Sequence, residues 1–110
     1  MSLDGSLEVS SAGGSVEFTF TVENTGDAPV SMQFSDGQTF DVVVEDDGGE
    51  VWRWSSGMMF AQMLQSKELS AGERVRETAT WEDPAPGEYE ARAWVTASDA
   101  SCEDRTSFSV

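Results

Sequence analysis

The sequence contains no histidine and a single cysteine, Cys102. Without histidine there is no Ser-His or Cys-His catalytic pair, no histidine metal ligand and no side chain that ordinarily titrates near neutral pH. One cysteine excludes an internal disulfide and a cysteine zinc site. Its neighbours Glu103 and Asp104 disfavour the thiolate, so we expect a passive thiol. These absences remove most enzyme chemistry, and we expect a protein that is not an enzyme and that uses no metal and no cofactor.

Cations and long apolar runs are also scarce. Six Lys and Arg residues stand against 21 Asp and Glu residues, which gives a net charge of −15 over 110 residues. A chain this acidic repels nucleic-acid phosphates instead of releasing their counterions. No apolar run approaches the roughly 20 residues of a membrane span, and no signal segment opens the chain. We therefore expect a cytoplasmic protein that binds neither nucleic acid nor a membrane.

The acidic residues are dispersed along the whole chain and are not collected in a tail. A dispersed acidic coat repels itself in dilute buffer and is tolerated where concentrated salt screens it. This distribution is typical of proteins from halophiles that accumulate salt in the cytoplasm. The alternative is an ordinary acidic domain.

Apolar side chains follow a period of two along most of the chain, which is typical of half-buried strands. Turn sequences rich in Gly, Pro and Asp separate the runs every eight to twelve residues. The pattern predicts one all-β domain over residues 1–110, an immunoglobulin-like antiparallel β-sandwich of about 7–9 strands, with residues 1–5 disordered. The side chains predicted to face inward include Phe18, Phe20, Phe34, Tyr89 and Val95.

Two features interrupt the alternation. Glu77 falls on the face that Val75 and Ala79 share, which places a carboxylate among inward-facing positions. The stretch 55–66 is neither cleanly two-periodic nor long enough for a helix, so it predicts a loop with at most one helical turn.

Four segments carry a family resemblance, and they occur in order between about Val16 and Val95. They are FTFTVENTG, VSMQFSDGQTFDVVVEDDGGEVWRWSSGMMFAQ, LSAGE and PGEYEARA. The most specific part is VWRWS followed by MFAQ. In these segments the sequence resembles the intracellular proteinase inhibitor family, the BsuPI type. The resemblance implies a small β-sandwich that binds and inhibits an intracellular serine protease and is not itself an enzyme.

An inhibitor of this kind needs a protruding, pre-organised segment with a few apolar anchors. The stretch 55–66 is the longest break in the strand pattern and directly follows VWRWS. We expect the partner contact to centre on Met58, Met59 and Gln62, with Trp54 and Phe60 supporting the loop from beneath. The alternative is that Met58, Phe60 and Leu64 fold back and plug the open end of the sandwich.

The residue types leave three other functions to consider. The main alternative is a structural immunoglobulin-like module with an unknown partner. A carbohydrate-binding module is suggested by the four tryptophans, of which Trp94 is the best candidate for exposure. A calcium site at Asp46–Glu50 is disfavoured, because the alternating oxygen ligands of a calcium loop are absent and Gly48-Gly49 suits a hairpin. The oligomeric state is not predicted.

Overall fold

The computed structural model describes residues 3–110, which form nine strands joined in antiparallel pairs. The strands are β1 Leu3–Ala12, β2 Ser15–Asn24, β3 Val30–Phe34, β4 Phe40–Asp46, β5 Gly49–Arg53, β6 Gln65–Leu69, β7 Arg74–Glu82, β8 Glu88–Val95 and β9 Glu103–Ser109. The all-β prediction is confirmed. No helix within residues 3–110 is long and apolar enough to cross a membrane.

The start of the chain differs from the sequence-based expectation. Residues 3–5 are not disordered, because β1 begins at Leu3 and pairs with β2 from Leu3 opposite Asn24 onward. The side chain of Leu3 packs against the hydrophobic core, which favours a paired strand here over a disordered end. The remainder of that prediction, residues 1 and 2, lies outside the described residues.

The strands form three sheets, ordered β1-β2-β7, β5-β4-β8-β9 and β3-β6. Aromatic side chains join the two larger sheets across the interior. Phe18 of β2 stacks on Trp52 of β5, with ring centroids 5.7 Å apart, and meets Phe108 of β9 edge-on at 5.5 Å. Such pairs contribute beyond the apolar area that they bury. The two sheets therefore face each other as a sandwich.

The predicted inward positions form the core and its margin. Phe18, Phe20 and Phe34 are buried, whereas Tyr89 and Val95 are partly exposed and pack against the core. The hydroxyl of Tyr89 donates a hydrogen bond to the backbone carbonyl of Ala85 at 2.6 Å. This bond is the tyrosine corner of immunoglobulin-like sandwiches.

The acidic turn between β4 and β5 is a two-residue hairpin. Asp46 pairs with Gly49, and the two residues between them, Asp47 and Gly48, have φ angles of 54° and 86°. Positive φ at both central positions defines the type I′ turn, which Asp-Gly sequences favour. The hairpin interpretation of this segment is confirmed.

Candidate protein-binding loop

The segment 54–64 connects β5 to β6 and is called the β5–β6 loop below. It contains four of the six large apolar side chains that are exposed in the described part of the chain. Their exposed fractions are 47% for Met58, 97% for Met59, 67% for Met63 and 84% for Leu64. Clustered exposed apolar side chains on a small soluble domain mark interaction surfaces. The loop is therefore the best candidate for a binding site.

The same region is free of charge. From Trp54 to Ser66 the sequence has 13 consecutive residues without Asp, Glu, Lys or Arg, in a chain whose charged fraction is 25%. This is the longest uncharged run in the sequence. A partner can cover this segment without desolvating any charged side chain, a step that costs free energy unless each charge finds a counter-ion.

Asp41 of β4 holds the start of the loop. Its buried carboxylate accepts hydrogen bonds from the hydroxyl of Ser55 at 2.6 Å and from the backbone N–H of Ser55 at 3.2 Å. It also accepts the backbone N–H of Val42 at 2.8 Å and pairs with the guanidinium of Arg53 at 3.3 Å. Hydrogen bonds to charged groups are stronger than neutral ones, so this carboxylate fixes where the loop leaves the sheet.

An aromatic pair supports the middle of the loop. The ring of Trp54 packs on Phe40 of the core, with centroids 4.3 Å apart, and Phe60 packs on Trp54 at 5.9 Å. Phe60 is half-buried, whereas its neighbour Met59 is almost fully exposed. Adjacent residues thus point in opposite directions, one toward the sandwich and one toward solvent.

Two hydrogen bonds fix the far side of the loop to the β3–β4 connection. The N–H of Gly37 donates to the carbonyl of Ala61 at 2.9 Å, and the side-chain amide of Gln65 donates to the carbonyl of Asp36 at 2.9 Å. A Cβ atom on Gly37 would lie 3.2 Å from the backbone nitrogen of Ala61. Glycine is therefore the residue that allows this close approach.

The loop residues that the sequence singled out lie where a contact is geometrically available. Met58, Met59 and Gln62 are exposed, and Phe60 lies beneath them against Trp54. No helical turn forms in the segment.

The alternative, in which Met58, Phe60 and Leu64 plug the sandwich, is wrong for Leu64, because its side chain projects from the end of the loop into solvent. Sequence reasoning also missed Met63 as a candidate contact. The uncharged run, which extends past Gln62, is the signal that would have included both residues.

The four tryptophans do not form an outward row that could stack on sugar rings. Trp52 and Trp81 stack on each other inside the sandwich, with centroids 5.8 Å apart. Trp94 lies on the other face of its sheet, where the guanidinium groups of Arg53 and Arg92 lie 5.6 Å and 4.8 Å from its ring centre. The ring of Trp94 is thus in contact with two guanidinium groups.

Cys102 is buried, and that burial raises the pKa of its thiol. The carboxylates of Asp4 and Asp104 raise the pKa further. A thiol of this kind is a poor nucleophile and contributes nothing to the loop.

The fold and the loop together define a class of protein: a small β-sandwich domain, without a disulfide in its described part, that presents one anchored apolar loop. The sequence matches the intracellular proteinase inhibitor family, BsuPI, over residues 3–100, and the chain belongs to that family. No curated protein matches the chain in sequence.

Solved structures share the fold at low sequence identity. The sporulation control protein Spo0M from Bacillus subtilis superposes with a TM-score of 0.61 at 14% identity, over 100% of this chain and 49% of that one. A GH3 beta-glucosidase from Bifidobacterium adolescentis gives 0.55 at 18% identity, over 98% of this chain and 17% of the enzyme. A CARDB domain from Pyrococcus furiosus gives 0.53 at 19% identity, over 99% and 92%. The chain thus spans about half of Spo0M and a sixth of the glucosidase.

Proposed function

We propose that this chain is a non-enzymatic inhibitor of an intracellular serine protease and that the β5–β6 loop binds in the active-site cleft. The family membership supports the inhibitor role. The observation that carries the choice of site is Met59, which is 97% exposed on a loop held to the sandwich at both ends. A cleft accepts a protruding segment, whereas the flat face of a sheet cannot enter it.

Pre-organisation supports the proposed contact energetically. Ordering a mobile loop on binding costs about 0.5–1.5 kcal/mol for each immobilised side chain. The bonds from Ser55 to Asp41 and from Gly37 to Ala61 order this loop in the free protein. Met58 and Met59 then act as anchors, since an unbranched thioether side chain adapts to an apolar pocket.

The charged surface outside the β5–β6 loop affects the rate of association with the protease more than the affinity. Of the 21 acidic residues, five take part in ion pairs within the described residues. The acidic hairpin at Asp46 and Asp47 tunes the association rate and its salt dependence. The dispersed charge supports a cytoplasm rich in salt as the setting.

Inhibition of a serine protease purified from the same cells tests the proposal. The chain is added at increasing concentration, and inhibition constants are compared for wild type, Met59→Asp and Val51→Asp. Val51 is a matched control, because it is an exposed apolar residue on β5 outside the loop. We expect Met59→Asp to abolish inhibition and Val51→Asp to retain it.

A second arm separates inhibition from simple association. The same protease, with its active-site serine blocked by a small covalent reagent, is mixed with the chain and passed over a size-exclusion column. We expect the blocked enzyme to bind more weakly, because the loop and the reagent compete for the cleft. Equal binding without inhibition would instead support a structural interaction module. Inhibition confined to metalloproteases or cysteine proteases would contradict the serine assignment.

A further inference from the structure

Glu77 is the charged residue among the inward-facing positions of β7. In the structure it lies at the edge of the sandwich interior. It lies opposite Phe20 in the pairing of β7 with β2, and Phe20 is fully buried. Glu77 is half-buried. Its carboxylate has no hydrogen bond or ion pair within the described residues. Among the described side chains, the only buried nitrogen or oxygen atom without a partner is Nε of Arg92, so the oxygens of Glu77 still reach solvent at the edge of this apolar face. A ligand can therefore reach this carboxylate.

The side chain of Glu77 lines a cavity of about 310 Å³ between β7 and the β3–β6 pair. The inner wall is apolar, and its members include Phe20, Met32, Phe34, Phe40, Leu69 and Val75. The charged lining residues are Lys67, Glu68, Glu73 and Glu77, of which the first three are exposed and therefore lie at the mouth. None of the lining residues belongs to the β5–β6 loop.

The charge of the lining residues and the apolar interior of the cavity together indicate the class of ligand that fits. Three carboxylates against one ammonium leave the lining with a net negative charge, while the interior is apolar. An anion is repelled by this arrangement. A neutral apolar molecule fills the interior but leaves Glu77 without a partner. A molecule with an apolar body and one positive charge satisfies both parts, and charge-assisted hydrogen bonds are the strong ones.

We propose that this cavity is a binding site for a small organic ammonium ion, with its apolar body among the core side chains and its cation on Glu77. The cavity volume lies at the lower end of the range for small-molecule sites. A ring and a short alkylammonium chain, as in 2-phenylethylammonium, match that size. The site is separate from the proposed protease contact.

Calorimetric titration of the full chain with 2-phenylethylammonium tests the proposal. The comparison ligands are 2-phenylethanol, which keeps the ring without the charge, and 3-phenylpropanoate, which reverses the charge. We expect saturable 1:1 binding of the ammonium ion, at least tenfold weaker binding of the alcohol and none of the acid. Equal binding of the alcohol, or absence of saturable binding of the ammonium ion, would overturn the proposal.

Two matched variants distinguish a site from diffuse attraction to an acidic protein. Glu77→Gln and Glu82→Gln change the net charge equally on the same strand, but Glu82 is exposed and has the opposite parity to Glu77. We expect at least a tenfold loss of affinity for Glu77→Gln and no change for Glu82→Gln. Equal losses for both variants would show that the attraction is general and would refute the site.

A cavity-filling variant gives an independent result. Val75→Phe places a ring in the space without removing any charge. We expect it to abolish binding while the melting temperature is kept or raised, because filling a cavity adds packing contacts. A folded Val75→Phe protein that binds as tightly as wild type would place the ligand elsewhere and overturn the proposal.

Discussion

Truncation of Met59 tests the contribution of the loop to binding with the smallest expected effect on folding. With 97% of the residue exposed, Met59→Ala removes almost no native packing, and the free energy of unfolding should change by less than about 0.5 kcal/mol. In the complex, burying a methionine side chain contributes about 1.5–3 kcal/mol, which is the scale of an interface hot spot. Because each 1.4 kcal/mol is a factor of ten, the inhibition constant should rise by about 10- to 150-fold.

The assay pairs steady-state inhibition with urea unfolding of each variant. Val51→Ala is the control, since Val51 is half exposed and lies on β5 outside the loop. Its inhibition constant should match that of wild type. An unchanged inhibition constant for a folded Met59→Ala protein would refute the loop as the contact. A large loss of stability would instead show that Met59 packs against the sandwich.

Four further outcomes follow from the charge, the core, the loop anchor and the thiol. The melting temperature should rise from low ionic strength to about 1 M salt, where the Debye length is about 3 Å, and a flat salt series would contradict the argument from the acidic coat. Phe20→Ala empties a fully buried site and should cost about 3–5 kcal/mol in denaturant titration; a loss below about 1 kcal/mol would mean that the inner face is misassigned. Asp41→Asn removes the ion pair with Arg53 and weakens the hydrogen bonds to Ser55. The free energy of unfolding should therefore fall by about 1–3 kcal/mol, and inhibition should weaken. No change in either quantity would show that Asp41 does not position the loop. Because burial raises the pKa of Cys102, the native thiol should react with Ellman's reagent at pH 8 far more slowly than the thiol in urea, and equal rates would argue against its burial.

Local chemistry in the sequence was enough to predict most of the strands and several turns, but not β6, which begins at Gln65 inside the stretch expected to be a loop. The alternation around Phe18 and Phe20 requires one face of a strand to be apolar, and both side chains are buried. The segment around Gly48-Gly49 forms the expected hairpin, although its two central residues are Asp47 and Gly48, which both have positive φ. Tyr89 forms its corner bond with the carbonyl of Ala85, only four residues away. Each of these features depends on residues that are close together in the chain.

The tertiary structure alone decided which side chains of the β5–β6 loop are fixed and which are free. Asp41 and Ser55 are 14 residues apart, and nothing in either segment predicts that the carboxylate is buried beneath the loop. The contact of Gly37 with Ala61 depends on how two separate connections meet. The sequence left open whether Leu64 packs inward, and in the structure it projects outward.

The surroundings of Glu77 were also decided by the tertiary structure. Its place on an inward-facing position could be predicted from the period of two, but the cavity beside it could not. That space depends on how far the β3–β6 pair stands from β7, a distance set by side chains from several strands. A periodic pattern specifies the face of a strand on which a residue lies. Only the packing of distant segments specifies what that residue meets there.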